Sequence, residues 1–175
     1  MTNGSGNARA SGLMFDMGYD RQHNVLLVRL VGTFTPQSMQ RMDTACATFL
    51  NAEGPAHSIF DFTVVESIDM TVERVERRAE RAQLCPGFER ILVAPQPAFF
   101  AMAEAFRDHQ RSQGLAAPLV VRTMAEAEAA LGLGPLRLQA RRHGVAGRAD
   151  GLLTPFQGWA GGRVAPPGPS VWMVA

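Results

Sequence analysis

The sequence predicts an α/β protein with a single domain, in which strands and helices follow one another in the order ββαβαβαβα. The chain has 175 residues, of which 46% are hydrophobic, and this is enough for one core of ordinary size. Short apolar runs alternate with segments of helical period, and this alternation favours a mixed, mostly parallel sheet packed with helices. At both ends the apolar pattern gives way to Gly, Pro, Ser and Ala, which predicts disordered tails.

Two strands and a helix are predicted at the start of the domain. Phe15, Met17 and Tyr19 alternate with polar or small residues, as in a strand with one buried face. The run VLLVRLVG is more continuously apolar, as in a central strand that is covered on both faces. A helix should begin at Pro36 with Thr35 as its N-cap. Its apolar face would consist of Met39, Met42, Cys46, Phe49 and Leu50.

The later elements repeat this alternation. HSIFDF is predicted to be a strand that runs out into a loop, and TVERVERRAERAQL to be a helix. The buried face of that helix would contain Val72, Val75, Ala79 and Ala82, while its Glu and Arg residues face water. The order is completed by a strand at 91–94, a helix from QPAFFAMAEAF, a short strand in APLVVRT and a helix in MAEAEAALGLG. Gly132 or Gly134 should end this last helix.

The same pattern gives three segments. Residues 1–12 are predicted to be a disordered tail, residues 13–134 the folded domain, and residues 135–175 a second disordered tail. This last segment contains 7 Gly and 5 Pro among its 41 residues and is rich in Arg. A short helix through PLRLQARRHG is an alternative for its first part.

Charge and hydropathy exclude several classes of partner. The formal net charge is +1, so no overall basic field would draw the protein onto nucleic acid. No apolar run reaches the 18 or so residues of a membrane span, and the first residues do not resemble a signal peptide. We therefore expect a cytoplasmic protein without an integral membrane span that does not bind nucleic acid.

The common catalytic motifs are absent. The sequence has no phosphate-binding loop, dinucleotide fingerprint, nucleophile elbow or HExxH pair, and its four His residues are scattered. Cys46 is predicted to be a core residue, and Cys85 follows a helix, where the dipole would not activate a thiol. Asp61 and Asp69 flank one loop, and an acid/base or cation-binding role for this pair is an alternative. The main expectation is a non-enzymatic protein without catalytic residues, metal or cofactor.

Besides the order of the elements, four segments carry a resemblance to a known family: VLLVRLVGTFT, IFDFTVVESIDMT, RILVAP and VVRTMAEAEAALG. Over about residues 13–133 the chain resembles the STAS-like domains. Specifically, the chain is similar to the SpoIIAA-like branch, whose members are related to anti-sigma-factor antagonists and also resemble lipid-binding SEC14-type domains. This resemblance implies a STAS-like fold and a regulatory protein partner, such as an anti-sigma-factor-type kinase.

The resemblance also implies where a partner would bind. In phospho-regulated members, the loop before the second helix contains an Asp followed by Ser-Ser-Gly, and the first Ser is phosphorylated. Here Asp69 is followed by Met70, so the phosphorylatable position has no hydroxyl group. Thr71, one residue later, is the candidate phosphorylation site, because amides at a helix N-terminus can hold a phosphate. The implied partner-binding residues are Asp61, Ser67, Asp69, Met70 and Thr71.

Two functions follow. The first is a non-enzymatic, regulatory protein-binding module that uses this loop. The alternative is a carrier or sensor of a small apolar, lipid-like ligand, because such pockets are mostly apolar. The candidate pocket residues lie in PAFFAMAEAF and are Phe99, Phe100, Met102 and Phe106.

Overall fold

A computed structural model describes residues 14–81 and 83–141, and the expectations for residues 1–13 and 142–175 lie outside this part of the chain. The elements are β1 (Met14–Asp20), β2 (Val25–Phe34), α1 (Pro36–Glu53), β3 (His57–Ile68), α2 (Val72–Ala79), β4 (Arg90–Val93), α3 (Pro97–Ser112), β5 (Leu119–Val121), α4 (Met124–Ala130) and β6 (Gln139–Arg141). The predicted α/β class and the order ββαβαβαβα are confirmed, and β6 is added at the end.

The described strands form one six-stranded sheet in the order β5-β4-β3-β2-β1-β6. β2, β3, β4 and β5 are parallel to one another, as helical crossovers require. β1 is antiparallel to both β2 and β6, so the sheet is mixed but mostly parallel, as the sequence predicts.

Both faces of the sheet are covered, because successive residues of a strand point to opposite sides. Leu26, Val28 and Leu30 of β2 pack in a core with residues of α1. Val25 and Leu27, which alternate with them, pack in a second core that contains Ala127 of α4. This explains why β2 is continuously apolar in the sequence.

The start of α1 agrees with the prediction. Thr35 is the N-cap, and Ser38 completes a capping box with it, with Pro36 in the first turn. Met42, Cys46 and Phe49 form the buried face of the helix, and Met39 and Leu50 are partly buried beside them.

β3 is longer than the sequence indicates. The segment after Phe62, which was expected to be a loop, continues as a strand to Ile68 and stays paired with β2. The register shifts twice along this pair, and such bulges disturb the alternation that would reveal a strand in the sequence. Gln96, the N-cap of α3, donates a hydrogen bond from Nε2 to the backbone oxygen of Thr63 at 3.1 Å and so supports the bulged segment.

α2 is shorter than predicted, and one of its apolar residues faces water. The helix covers Val72–Ala79, with Val75 and Ala79 buried. Val72 is 65% exposed, although the period assigned it to the buried face. No helix in the described part of the chain is long and apolar enough to cross a membrane.

The ordered domain extends past the predicted boundary at Gly134. Gly132 has a φ of 68° and ends α4, as one of the two predicted glycines should. Residues beyond it then pack on the sheet: Leu136 joins the core beneath α4, and β6 pairs with β1. The prediction of a tail from residue 135, and the alternative of a helix there, are therefore wrong as far as Arg141.

A buried carboxylate ties this last segment to the first strand. Asp20 is 1% exposed and accepts hydrogen bonds from the backbone N–H of Gln22, His23 and Arg137 at 3.0, 3.1 and 2.8 Å. Gln22 and His23 donate to Oδ1 and Arg137 donates to Oδ2, and the ring Nδ1 of His23 also lies 2.9 Å from Oδ2. Burial by itself would raise the pKa of Asp20, but the hydrogen bonds from His23 and Arg137 outweigh it and lower the pKa to about 2.

We expect Asp20→Asn to lower the free energy of unfolding by about 1–3 kcal/mol at neutral pH, because a charged acceptor of several buried donors is lost. The folded-state pKa lies below the ordinary value of 3.8, so this stabilisation is present above about pH 4 and is lost as the pH falls toward 2. Urea unfolding between pH 2.5 and 7 measures both effects. Asp16→Asn, an exposed carboxylate on the same strand, is the control. An equal loss of stability in the two variants would contradict the role of Asp20.

Candidate functional site

The described part of the chain contains an apolar cavity of about 120 Å³ between the sheet and the helices α1, α2 and α3. Most of its wall is aromatic, aliphatic or thioether side chain. The lining residues include Phe34, Met39, Met42, Phe60, Phe62, Ile68, Met70, Val75, Leu92, Phe99, Met102, Ala103 and Phe106. An apolar wall of this kind favours an apolar ligand over a polar one.

The structure places three of the four predicted pocket residues in this wall. Phe99, Met102 and Phe106 line the cavity from α3. Phe100 does not line it: the centroid of its ring lies 3.9 Å from the guanidinium carbon of Arg122, and the ring packs against the cluster of Ala94, Ala103 and Val120. Neighbouring residues of a helix point in different directions, so Phe99 and Phe100 could not both face one cavity.

The predicted partner-binding loop divides into an exposed part and a buried part. Ser67, Asp69 and Thr71 are exposed, and the Ser67 hydroxyl lies 3.0 Å from the Thr33 hydroxyl on the neighbouring strand. Met70 is half-buried, packs against the core beside α1 and lines the cavity. The loop and the pocket, which the sequence treats as separate sites, therefore share Met70.

Asp61 does not belong to this loop. It is buried in β3, where one oxygen accepts hydrogen bonds from the backbone N–H and the hydroxyl of Thr63. Its other oxygen accepts from Nε of Arg29 at 3.1 Å. Asp61 thus satisfies a backbone amide at the first bulge and is not an exposed binding residue.

Thr71 is the N-cap of α2, but its side chain does not cap a backbone amide. A side-chain hydrogen bond with Thr71 lowers the pKa of the Glu73 carboxyl. The hydroxyl is therefore exposed at a helix N-terminus, with a carboxylate in the first turn beside it.

Three charged residues also line the cavity: Asp43 of α1, Arg78 of α2 and Arg90 of β4. Arg78 donates from Nε and Nη2 to the two oxygens of Asp43 at 2.9 and 2.8 Å, a bidentate pair that links α1 to α2. The sequence assigns Arg78 to a solvated face, and nothing in it indicates a partner on another helix.

Two of the groups that could carry reactions, Cys46 and Asp61, are buried. Burial raises the pKa of the Cys46 thiol to about 12, which leaves it protonated and unreactive at neutral pH. Asp61 is held by Arg29 and Thr63, whereas Asp69 is exposed. Within residues 14–81 and 83–141, no group of three or more His, Cys, Asp or Glu side chains could hold a metal ion.

Sequence reasoning missed much of the cavity wall. Phe34, Phe60 and Phe62 come from strands, and Met39 and Met42 from α1. From the sequence, each could be recognised only as a core residue, because residues beside a cavity follow the same hydrophobic pattern as residues in a filled core. Arg90 offered one weak signal, a charged residue at the start of a buried strand.

Comparison with known proteins gives no close relative. No protein-family model matches the chain, and no curated protein matches it. A solved structure of an uncharacterised DUF3478-family protein from Shewanella loihica PV-4, which has a SpoIIAA-like fold, is similar with 10% identity and a TM-score of 0.46, over 69% of this chain and 94% of that one. The anti-sigma factor antagonist SpoIIAA in its unphosphorylated form is similar with 14% identity and a TM-score of 0.38, over 68% and 96%.

Because Met70 is half-buried, substitutions at Met70 and at the exposed Val72 should differ in their effect on the free energy of unfolding. Met70→Asp places a carboxylate against the core, so we expect it to lower the free energy of unfolding by about 2–4 kcal/mol. Val72→Asp, two residues later, should leave stability within about 1 kcal/mol of wild type, because the side chain is exposed and an acid in the first turn of a helix is favourable. Chemical denaturation of both variants measures the difference. Equal stabilities would contradict the burial of Met70.

Proposed function

We propose that this domain is a non-enzymatic binding module for a small apolar ligand, which occupies the cavity between the sheet and α1, α2 and α3. The observation that carries the proposal is an apolar cavity of about 120 Å³ beside the core that the sheet forms with α1. A ligand that binds the folded protein in this cavity would stabilise the fold.

The dimensions suit a small ligand. A cavity of roughly 150 Å³ lined by aliphatic and aromatic side chains stays dry and binds benzene in another protein. The present cavity is of that order, and four Phe and Met side chains of α3 and the loop, Phe99, Met102, Phe106 and Met70, form one part of its wall. Met side chains adapt their shape readily, which favours apolar ligands of varied outline.

The test is isothermal titration calorimetry of the full chain with 1-octanol. We expect saturable binding with a dissociation constant in roughly the micromolar to millimolar range and a negative heat-capacity change. Ala103→Leu adds three carbon atoms to the cavity wall and should weaken binding about tenfold or more, because each displaced methylene contributes about 0.8 kcal/mol.

Phe100→Ala is the matched control, since it removes a ring from the same helix without touching the cavity. Its octanol affinity should stay within about twofold of wild type once circular dichroism shows that it folds. If wild type does not bind octanol up to the solubility limit, or if Ala103→Leu binds as tightly as wild type, the proposal is wrong.

A protein partner at the loop is a second candidate, favoured by the exposure of this surface. Ser67, Asp69 and Thr71 are exposed, and Val72 next to them is an exposed apolar residue at 65%. Exposed apolar side chains beside polar ones are typical of contact surfaces. Similarity in fold to an anti-sigma factor antagonist supports the idea of a regulatory partner without identifying it.

This candidate predicts that Val72→Asp reduces capture of the partner. Tagged wild type and variant are used to isolate bound proteins from the native cell, and the proteins are quantified by mass spectrometry. A partner that uses this surface should be depleted about tenfold or more in the Val72→Asp sample, because an unpaired carboxylate would be desolvated at the contact. Glu104→Gln, at a partly exposed position of α3 that pairs with Arg107, is the control. Equal capture by wild type and Val72→Asp would exclude the surface around Val72.

A further inference from the structure

The charged side of the cavity contains one cation whose charge is not paired. Asp43 and Arg78 neutralise each other, since both carboxylate oxygens accept hydrogen bonds from the Arg78 guanidinium. Arg90 forms no ion pair in the described part of the chain. The three charged residues therefore leave a net charge of about +1 beside an apolar space, and this charge is centred on Arg90.

Arg90 is held by neutral acceptors. Its Nη2 donates to the side-chain oxygen of Gln110, which is fully buried, and to the backbone oxygen of Ala116 at 3.2 Å. Gln110 in turn donates to the backbone oxygen of Arg81 at 3.0 Å. The guanidinium carbon lies 5.6 Å from the centroid of the Phe106 ring, one of the cavity walls. These contacts fix the guanidinium in place without compensating its charge.

One donor of this group has no acceptor. Nε of Arg90 is buried and has no hydrogen-bond partner among the described residues. A buried N–H of a charged group without an acceptor is costly and uncommon in folded proteins. Burial lowers the pKa of Arg90 to about 10, with a further lowering by Arg78 and an opposing effect of Asp43. The guanidinium remains charged at neutral pH.

A smaller cavity adjoins the first at this point. It measures about 40 Å³ and shares Asp43, Phe60, Arg78 and Arg90 with the larger one. Ser58 and Gln83 are among its other lining residues. A space of this volume is large enough for a carboxylate or for one or two water molecules, each of which needs roughly 10–15 Å³. The charged residues thus stand at the boundary between a larger and a smaller compartment.

We propose that the cavity selects an amphipathic monocarboxylate, whose apolar body fills the larger compartment and whose carboxylate pairs with the guanidinium of Arg90, which lines it. This inference rests on the proposed function and adds the chemical class of the ligand. A carboxylate would supply the missing negative charge, and hydrogen bonds between ions are about twice as strong as neutral ones. The volume indicates a short apolar body, of the order of a benzene ring or a medium-length alkyl chain.

The experiment compares octanoate with 1-octanol, which has the same alkyl chain and a neutral head group. Both are titrated into the full chain at pH 7 by isothermal titration calorimetry. Wild type should bind octanoate about tenfold or more tightly than octanol, the ratio expected for a hydrogen bond between charged groups in a partly buried site.

Arg90→Gln should reduce this ratio to about threefold or less, because the interaction with the carboxylate is lost. Arg111→Gln, an exposed Arg on α3 whose side chain is 62% exposed, should keep the wild-type ratio. Circular dichroism verifies the fold of each variant, and the wild-type ratio tests the proposal even if Arg90→Gln does not fold.

The outcomes separate the two proposals. If octanol binds as tightly as octanoate to wild type, the cavity binds apolar ligands but does not select a carboxylate, and the inference about Arg90 is wrong. If the octanoate preference survives in folded Arg90→Gln, another group provides it and the inference also fails. If neither ligand binds to wild type, the proposed function itself is wrong.

Discussion

The parallel pairing of β2 with β3 determines where the cavity-lining residues of β3 lie. β2 supplies the centre of both cores, and β3 follows it from His57 to Ile68 through two register shifts. In a regular strand, successive side chains alternate between the two faces of the sheet along the whole length. Each bulge inserts one residue and so changes the face to which the following side chains point. Phe60 and Phe62 reach the cavity wall from this strand, and Ile68 reaches it after both bulges. Asp61 and Gln96 support the bulged backbone from opposite directions, one by accepting from the N–H of Thr63 and the other by donating to its carbonyl oxygen.

The cavity exists because three helices meet the sheet around a region that none of them fills. α1 contributes Met residues, α2 contributes Val75, and α3 contributes a face with Phe99, Met102 and Ala103. The small side chain of Ala103 and the flexible ones of the Met residues leave space where larger, rigid residues would close it. The bidentate pair of Arg78 and Asp43 holds α2 against α1 at the edge of this space, and its side chains are only 19% and 24% exposed. A partly buried pair of this geometry restricts the relative position of the two helices more than a surface pair would.

The two proposed functions meet at Met70. This residue belongs to the loop that was expected to contact a protein partner, and it also lines the cavity. A ligand in the cavity would contact the inner side of the loop, while a partner would contact the exposed Asp69, Thr71 and Val72. Differential contacts of this kind are the physical basis on which one ligand can change the affinity for another. The two proposed functions therefore involve opposite sides of one loop.

The sequence by itself determined the fold class, the order of the elements and most of their starts. Periodicity, the cap at Thr35 and the glycine at 132 are local signals, and each acts within a few residues of the chain. It also identified Phe99, Met102 and Phe106 as one face of a helix, and Met70 and Thr71 as parts of one turn.

Only the tertiary structure decided that Met70 and this face share a cavity, that Phe100 points elsewhere, and that Arg78 pairs with Asp43 at a distance of 35 residues in the chain. It also decided that Asp20 binds the backbone of Arg137, 117 residues later, and so extends the domain beyond Gly134. The physical reason is that hydrophobic period reports which side of an element is buried but not whether the buried space is filled. Contacts between distant residues depend on sheet register and helix packing, which no local pattern contains.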